Sequence, residues 1–288
     1  MEWLNAIVQG ALLGGLFALF ATGLSLIFGV MRLVNLAHGD LIVLAAFLAI
    51  AVVEAFGVHP LATLVVVVPA MFVLGFVLQS RLLDFTLGDD ILPPLLVTFG
   101  LSIIIQNVLL ESFSADTRRL QAAGLETASV ELAGGIAVGV YPLLVFVIAV
   151  LVIASLQALF YRTHLGRVFR ATSDDRDTVR LMGVDNRRVF ALAMGIALGV
   201  CALAGVLMAI RTNITPTVGP ARLLYAFEAV IIGGLGNLWG TLAGGIILGV
   251  AQSLGAKIHP GFQVLAGHIV FLAILALRPK GLFPKIQG

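Results

Sequence analysis

Apolar residues fill this chain in long runs. Predominantly apolar runs fall at about residues 6–29, 33–53, 60–80, 91–111, 137–160, 189–210, 223–235, 239–255 and 262–278. An α-helix needs roughly 20 predominantly apolar residues to cross the hydrocarbon layer, and most of these runs reach that length. The pair 223–235 and 239–255 is separated only by Gly233-Gly234-Leu235-Gly236-Asn237. Its first member is too short for a full crossing and reads as a re-entrant or broken helix, tolerated at membrane depth only inside protein or beside a cavity. The pattern predicts an all-α polytopic membrane protein of about eight transmembrane helices, including this broken pair.

Composition narrows the class further. Of 288 residues, 60% are hydrophobic and 11% charged, against roughly a half and a quarter in soluble domains. That excludes a soluble enzyme, a disordered chain and a disulfide scaffold. No polar stretch is long enough for a separate soluble domain, so residues 1–288 read as one domain. The N-terminus lacks Lys and Arg and reads as the start of a retained first helix. The net charge of +2 carries little information, whereas charge placement carries much. Residues 161–188 hold Arg162, Arg167, Arg170, Arg176, Arg180, Arg187 and Arg188, and basic residues collect on cytoplasmic loops. This loop is therefore inside. Counting back places the N-terminus outside and the acidic loop 111–136 outside; counting forward leaves Arg278, Lys280 and Lys285 inside, with Arg211, Arg222 and Lys257 as outer exceptions. No basic face interleaved with aromatics suggests a nucleic acid.

Small-residue pairs four apart, namely Gly10/Gly14, Gly135/Gly139, Gly195/Gly199, Gly240/Gly244 and Gly245/Gly249, mark faces where helices approach closely. They serve packing within this chain or against a second membrane subunit. No clear sequence repeat is visible.

Four constellations bear on function. Asn35, His38 and Asp40 lie within six residues where the first two spans join. Polar groups at membrane depth are costly unless partnered. They read either as a structured re-entry turn beside a translocation path or as a helix cap, with Asn35 or Asp40 satisfying free amides. Gly234, Gly236 and Asn237 form either a helix-breaking turn whose backbone dipoles line a path or a close glycine crossing. No Gly-Lys-Ser/Thr occurs, so the Walker signature is absent. Glu228 either faces the bundle interior or sits at the outer interface, paired with Arg222 or Arg211. Asn107, with Gln106 and Glu111, either meets a polar solute or caps its helix. His59, His268, Lys257 and Cys201 lack metal-ligand spacing, and no cofactor motif or catalytic set is present.

The fourth is Asp177-Thr178-Val179-Arg180-Leu181-Met182-Gly183 with Val184, inside the arginine-rich loop. Gly183 can end a short helix at positive φ, leaving Leu181, Met182 and Val184 as an apolar knob for a partner's groove. The positive-inside rule accounts for the arginines alone but not for Leu-Met-Gly-Val among charges, and Arg170, Asp177 and Arg180 are taken with the knob as candidates for docking a partner.

Residues 32–40, Arg-Leu-Val-Asn-Leu-Ala-His-Gly-Asp, resemble the signature of the H-type permease (LivH) family of branched-chain amino acid ABC importers. The similarity continues through 163–184, 226–249 and 278–283, in the family's order, and favours the H-type over the M-type member. The resemblance implies a permease that binds no nucleotide and no cofactor. It also implies branched-chain amino acids as cargo, with urea, amides or other small carboxylates as alternatives. Its implied partners are an M-type permease, two ATPase subunits and a periplasmic binding protein, in the bacterial inner membrane. In this family the segment 161–188 couples to the ATPase, and Asp177 to Gly183 occupies the coupling pattern with both of its alanines replaced. A secondary transporter would need carboxylates on several spans. An intramembrane enzyme would have only Asn35, His38 and Asp40 to work with.

Overall fold

The structure, a computed structural model, describes residues 2–86, 90, 92–122, 124–132 and 136–283; Lys285 and Gly135 lie outside the described residues. Eleven α-helices follow one another among them: α1 (Glu2–Met31), α2 (His38–Phe56), α3 (Leu64–Arg81), α4 (Leu92–Phe113), α5 (Val140–Arg162), α6 (His164–Asp174), α7 (Arg176–Leu181), α8 (Asn186–Arg211), α9 (Gly219–Gly233), α10 (Leu238–Ile258) and α11 (Phe262–Leu277). Among the described residues, seven helices, α1 to α5 with α8 and α10, are long and apolar enough to cross a membrane. The fold is an all-α polytopic membrane bundle.

Two departures from the sequence reading stand out. The second member of the expected broken pair, α10, is a continuous 21-residue helix, so only α9, with 15 residues, is short. The second lies in the expected outer loop, where β1 (Ser129–Leu132) pairs antiparallel with β2 (Ile136–Gly139), Val130 facing Val138. Gly139 thus ends a strand and does not share a helix face with another glycine.

The two helices α1 and α8 are buried along most of their length, while α3, α4 and α5 bury one face each. Their other faces present Val65, Val73, Leu96, Ile104, Val147 and Leu151 outward. In lipid such faces meet a solvent as apolar as themselves, so association relies on close packing. Glycine supplies it between α1 and α10. A methyl on Gly14 would fall 2.5 Å from the Ile246 Cα, and one on Gly249 would fall 2.3 Å from the Gly10 carbonyl oxygen. On the other side, Gly75 of α3 meets the Met194 carbonyl of α8 with 2.7 Å for the same test.

These contacts reveal two halves running in opposite directions. One end of the bundle, here the basic end, holds α6 and α7; α1 finishes there and α8 starts there. After α1 the non-helical segment 32–37 turns back into the bundle before α2 begins. The His38 ring reaches the Phe20 carbonyl, eleven residues before the end of α1, which is about 16 Å along the helix axis. From there α2 runs to the far end, where Glu54 pairs with Arg118 at 2.7 Å. The second half mirrors this. After α8, residues 212–218 turn back from the far end, where Ile214 forms an antiparallel bridge with Arg118, and α9 then runs to the basic end. Correspondingly, α1 packs on α10 as α8 packs on α3, and α2 packs on α4 as α9 packs on α11. No sequence repeat announces the relationship.

At the basic end α6 ties two helices together. Thr163 caps it, accepting from the Gly166 amide at 3.1 Å, and Phe169 stacks on Phe160 at 5.4 Å. At its other end the Ser173 hydroxyl donates to the Gly29 carbonyl at 2.7 Å, and Arg176 donates to the Met31 carbonyl.

Candidate functional site

The starts of α2 and α9 meet inside the bundle. Asn35 Oδ1 accepts from the Ala37 amide at 3.0 Å, and the Leu36 amide donates to Thr98 Oγ1 at 3.2 Å. Asn35 thus closes an Asx turn just ahead of α2, and the expected side-chain cap on the helix itself is not made: the N-cap position is Ala37. His38 is not satisfied locally: its Nε2 lies 2.8 Å from the Phe20 carbonyl oxygen of α1. A carbonyl can only accept, so Nε2 carries the proton, and Cys201 Sγ lies 3.7 Å from both ring nitrogens. Asp40 is buried, and its Oδ2 accepts from the Ser102 hydroxyl at 2.6 Å. Its other oxygen points at α9, since a methyl on Gly219 would fall 1.9 Å from Asp40 Oδ1. One carboxylate thus stands in the first turn of α2 and against the first residue of α9, where the positive ends of both helix dipoles favour negative charge.

Sequence reasoning missed Thr98 and Ser102. With Gln106 they recur every four residues in α4 and so share one face, which packs on the start of α2. Gln106 Nε2 donates to Ser102 Oγ at 3.2 Å, extending a polar line from buried Asp40 to the half-buried Gln106. The four-residue spacing of polar side chains in an apolar run was the available signal. Asn107 next to it is exposed and donates to the Ile103 carbonyl of its own helix at 2.8 Å.

Glu228 belongs to another cluster. It is 1% exposed, and its partner is His268 Nδ1 on α11. Among the described residues it makes no ion pair with Arg222 or Arg211; the Arg222 guanidinium stands 6.0 Å over the Tyr225 ring. The carboxylate therefore faces the interior, as the first of its two sequence readings had it. Because α9 is short and starts inside the bundle, its acid faces α11 and lies away from the far-end arginines.

Gly234, Gly236 and Asn237 are brought to the basic end. Gly234 and Gly236 have φ of +101° and +77°, a backbone that glycine adopts at little cost. Asn237 Oδ1 caps α10 by accepting from the Gly240 amide at 3.0 Å, and its Nδ2 donates to the Phe283 carbonyl at 3.0 Å. The turn is held against 278–283 by amide bonds from Leu282 and Phe283 to the carbonyls of Ile232 and Gly233. The glycine crossing is present as well: Gly233 and Gly240 meet with 2.1 Å for a methyl on Gly233.

In the arginine-rich segment, Asp175 caps α7, accepting from the amides of Asp177 and Thr178 at 3.0 and 3.1 Å. The Thr178 hydroxyl, donating at 2.5 Å, and these amides hold the Asp175 carboxyl below the ordinary carboxylate range. α7 ends in a Schellman turn, with Gly183 at φ +83°, its amide on Arg180 and the Val184 amide on Val179. Beyond that turn Leu181 is 88% and Met182 78% exposed, while Asp177 and Arg180 are exposed beside them and Val184 is half-buried. Arg170 is not on this knob. It donates to the Phe160 carbonyl and lies 4.9 Å over the Tyr161 ring. Among the described residues no group of three metal-ligating side chains occurs.

Comparison with known proteins agrees with this architecture. Residues 6–277 match the family model described as branched-chain amino acid transport system / permease component. The chain is 27% identical to the high-affinity branched-chain amino acid transport system permease protein BraD of Pseudomonas aeruginosa, over 99% of this chain and 98% of that one. It is 24% identical to the permease protein LivH of the corresponding system of Salmonella typhimurium, over 100% and 98%. To the permease protein LivM of Escherichia coli it is 28% identical, over 44% of this chain and 30% of that one. No solved structure matches the chain. The chain belongs to the branched-chain amino acid transport system permease family.

Proposed function

We propose that this chain is the H-type permease subunit of an ATP-driven importer that moves leucine, isoleucine and valine across the bacterial inner membrane. The observation that carries this reading is the end-to-end similarity to BraD and LivH, permeases of high-affinity branched-chain amino acid systems. In this reading the chain is a translocation subunit. It pairs with an M-type permease, and two ATPase subunits hydrolyse ATP on its behalf. A periplasmic binding protein sets specificity. Its N-terminus is outside and the basic end is cytoplasmic.

The segment 161–188 is the coupling element within a single permease domain. Leu181, Met182 and Val184 enter a groove on the ATPase, with Asp177 and Arg180 pairing at the rim, and Gly183 sets the angle of the knob. Large exposed apolar side chains among charges are the mark of a partner surface. For the path, a zwitterion with an apolar side chain requires polar groups for its ends and an apolar wall. The line from Asp40 through Ser102 to Gln106 supplies the first, with the exposed Asn107 amide next to it, and the apolar face of α4 the second. Asn35 and His38 hold the half-helix junction. Glu228 steadies α9, while Gly234, Gly236 and Asn237 shape its exit to the basic end.

The test is reconstitution of the permease pair, ATPases and binding protein in liposomes with labelled leucine. Uptake that needs ATP and the binding protein is the expected result. Uptake that persists without the ATPases would overturn the reading in favour of a secondary transporter, and saturable uptake of urea or amides with none of leucine would overturn the cargo.

A further inference from the structure

Below α6 lies a cavity of about 400 Å³, within the ~300–1,000 Å³ of small-ligand pockets. Its walls come from α1, α5, α6 and the turn before α10, and include Leu26, Gln157, Phe160, Tyr161, Arg170 and Asn237. The lining divides by chemistry. Leu26 and Phe160 form an apolar side. The Arg170 guanidinium, with the Tyr161 ring beneath it at 4.9 Å, and the Gln157 amide supply the polar part of the same lining.

Arg170 has charge to offer here. An arginine carries five N–H donors; the Phe160 carbonyl takes one of them and is neutral. Among the described residues neither Arg170 nor its neighbours Arg162 and Arg167 forms an ion pair with a carboxylate. The position matters as much as the charge. Tyr161, 59% exposed, stands in the last turn of α5, the level at which amphipathic aromatic rings meet lipid headgroups. A basic pocket between membrane helices at that level, with both polar and apolar side chains in its lining, suits a phosphate attached to an acyl chain.

We propose that this cavity binds the phosphate of an anionic phospholipid, with Arg170 as its cation and the Leu26–Phe160 side taking the start of the acyl chain. The lipid then wedges α6 against the ends of α1 and α5, on both of which that helix packs. The inference is independent of which cargo the permease moves.

The experiment is native mass spectrometry of the intact complex released from membranes containing phosphatidylglycerol and phosphatidylcholine. Wild type is expected to retain phosphatidylglycerol, and Arg170→Gln to retain about five-fold less, the contribution of one cation near an anionic headgroup. Arg188→Gln should match wild type, because Arg188 is 82% exposed and already pairs with Asp185 at 3.2 Å. Should Arg170→Gln fail to fold, a photo-crosslinking residue at Gln157 in the otherwise unchanged protein reads the same contact. It should capture phosphatidylglycerol and leave phosphatidylcholine. Equal capture of both lipids would overturn the proposal. So would protection by inorganic phosphate with no lipid retained, which assigns the cavity to a free anion, and displacement of the lipid by leucine, which assigns it to the transport path.

Discussion

Gly39 and Gly219, the second residue of α2 and the first of α9, touch backbone to backbone: a methyl on Gly39 would fall 2.0 Å from the Gly219 carbonyl oxygen and 2.7 Å from the Leu223 amide nitrogen. This contact joins the two oppositely running halves inside the bundle, and neither side of it is a flexible side chain that can move aside. Gly39→Ala is therefore expected to destabilise the protein by at least the ~1–3 kcal/mol of ordinary overpacking, seen as a lower melting temperature of the purified complex. Gly199→Ala, whose nearest neighbour is the Val68 side chain at 3.8 Å, should leave it unchanged. Equal melting temperatures for both variants would contradict the packing described.

The Asp40–Ser102 bond ties the first half-helix to α4. Intramembrane side-chain hydrogen bonds average about 0.6 kcal/mol in double-mutant cycles, with a maximum near 1.7. The Asp40–Ser102 bond is buried and short at 2.6 Å, so the Asp40→Asn, Ser102→Ala cycle should give a coupling in the upper part of that range, about 1 kcal/mol. Additive effects would mean that the two groups do not share the bond.

In the second half, Glu228 and His268 tie α9 to α11. Removing one member of a buried pair costs ~3–5 kcal/mol because the other charge is stranded, and the partial exposure of His268 puts this pair at the low end. His268→Ala should lower thermal stability markedly, and adding Glu228→Gln to it should recover much of the loss. A double variant less stable than His268→Ala would show that Glu228 has another partner.

At the basic end, Met182→Glu should insert and assemble yet lose ATP-driven uptake, since it places a charge on the proposed docking knob. Gly183→Val should behave likewise by forcing a side chain into the left-handed region, while Gly183→Asn should retain most uptake. Normal substrate-stimulated ATPase coupling in Met182→Glu would sink the assignment.

The cap of α7 adds a pH dependence. Asp175 titrates below its unfolded value in the folded protein, so its contribution is fully present above the ordinary carboxylate range and lost as pH falls through the depressed folded value. Hydrogen exchange at the Asp177 and Thr178 amides should be protected at neutral pH and accelerate, relative to intrinsic rates, only in acid below pH ~4. Asp175→Ala should remove the protection at neutral pH, and Asp175→Asn should keep it.

Much of this protein is written in one dimension. Length and hydrophobicity alone determined the helices and the membrane class, because in hydrocarbon each span must satisfy its own backbone. The Leu181–Gly183 knob was equally legible, since an apolar group in a charged loop is a local anomaly and Gly183 a local backbone requirement. The same local reasoning found the Gly234–Asn237 turn. What only the tertiary structure decided was long-range partnership. His38 reaches Phe20 and Cys201, Asp40 reaches Ser102 and Gly219, Glu228 reaches His268, and Arg170 turns from the knob to a cavity. The inverted halves were invisible because the arrangement rests on direction and close glycine contact, which unrelated apolar side chains satisfy equally well. Hydrophobicity is a property of each residue and can be read along the chain. A hydrogen bond or a backbone crossing belongs to a pair, and it exists only once folding brings both members together.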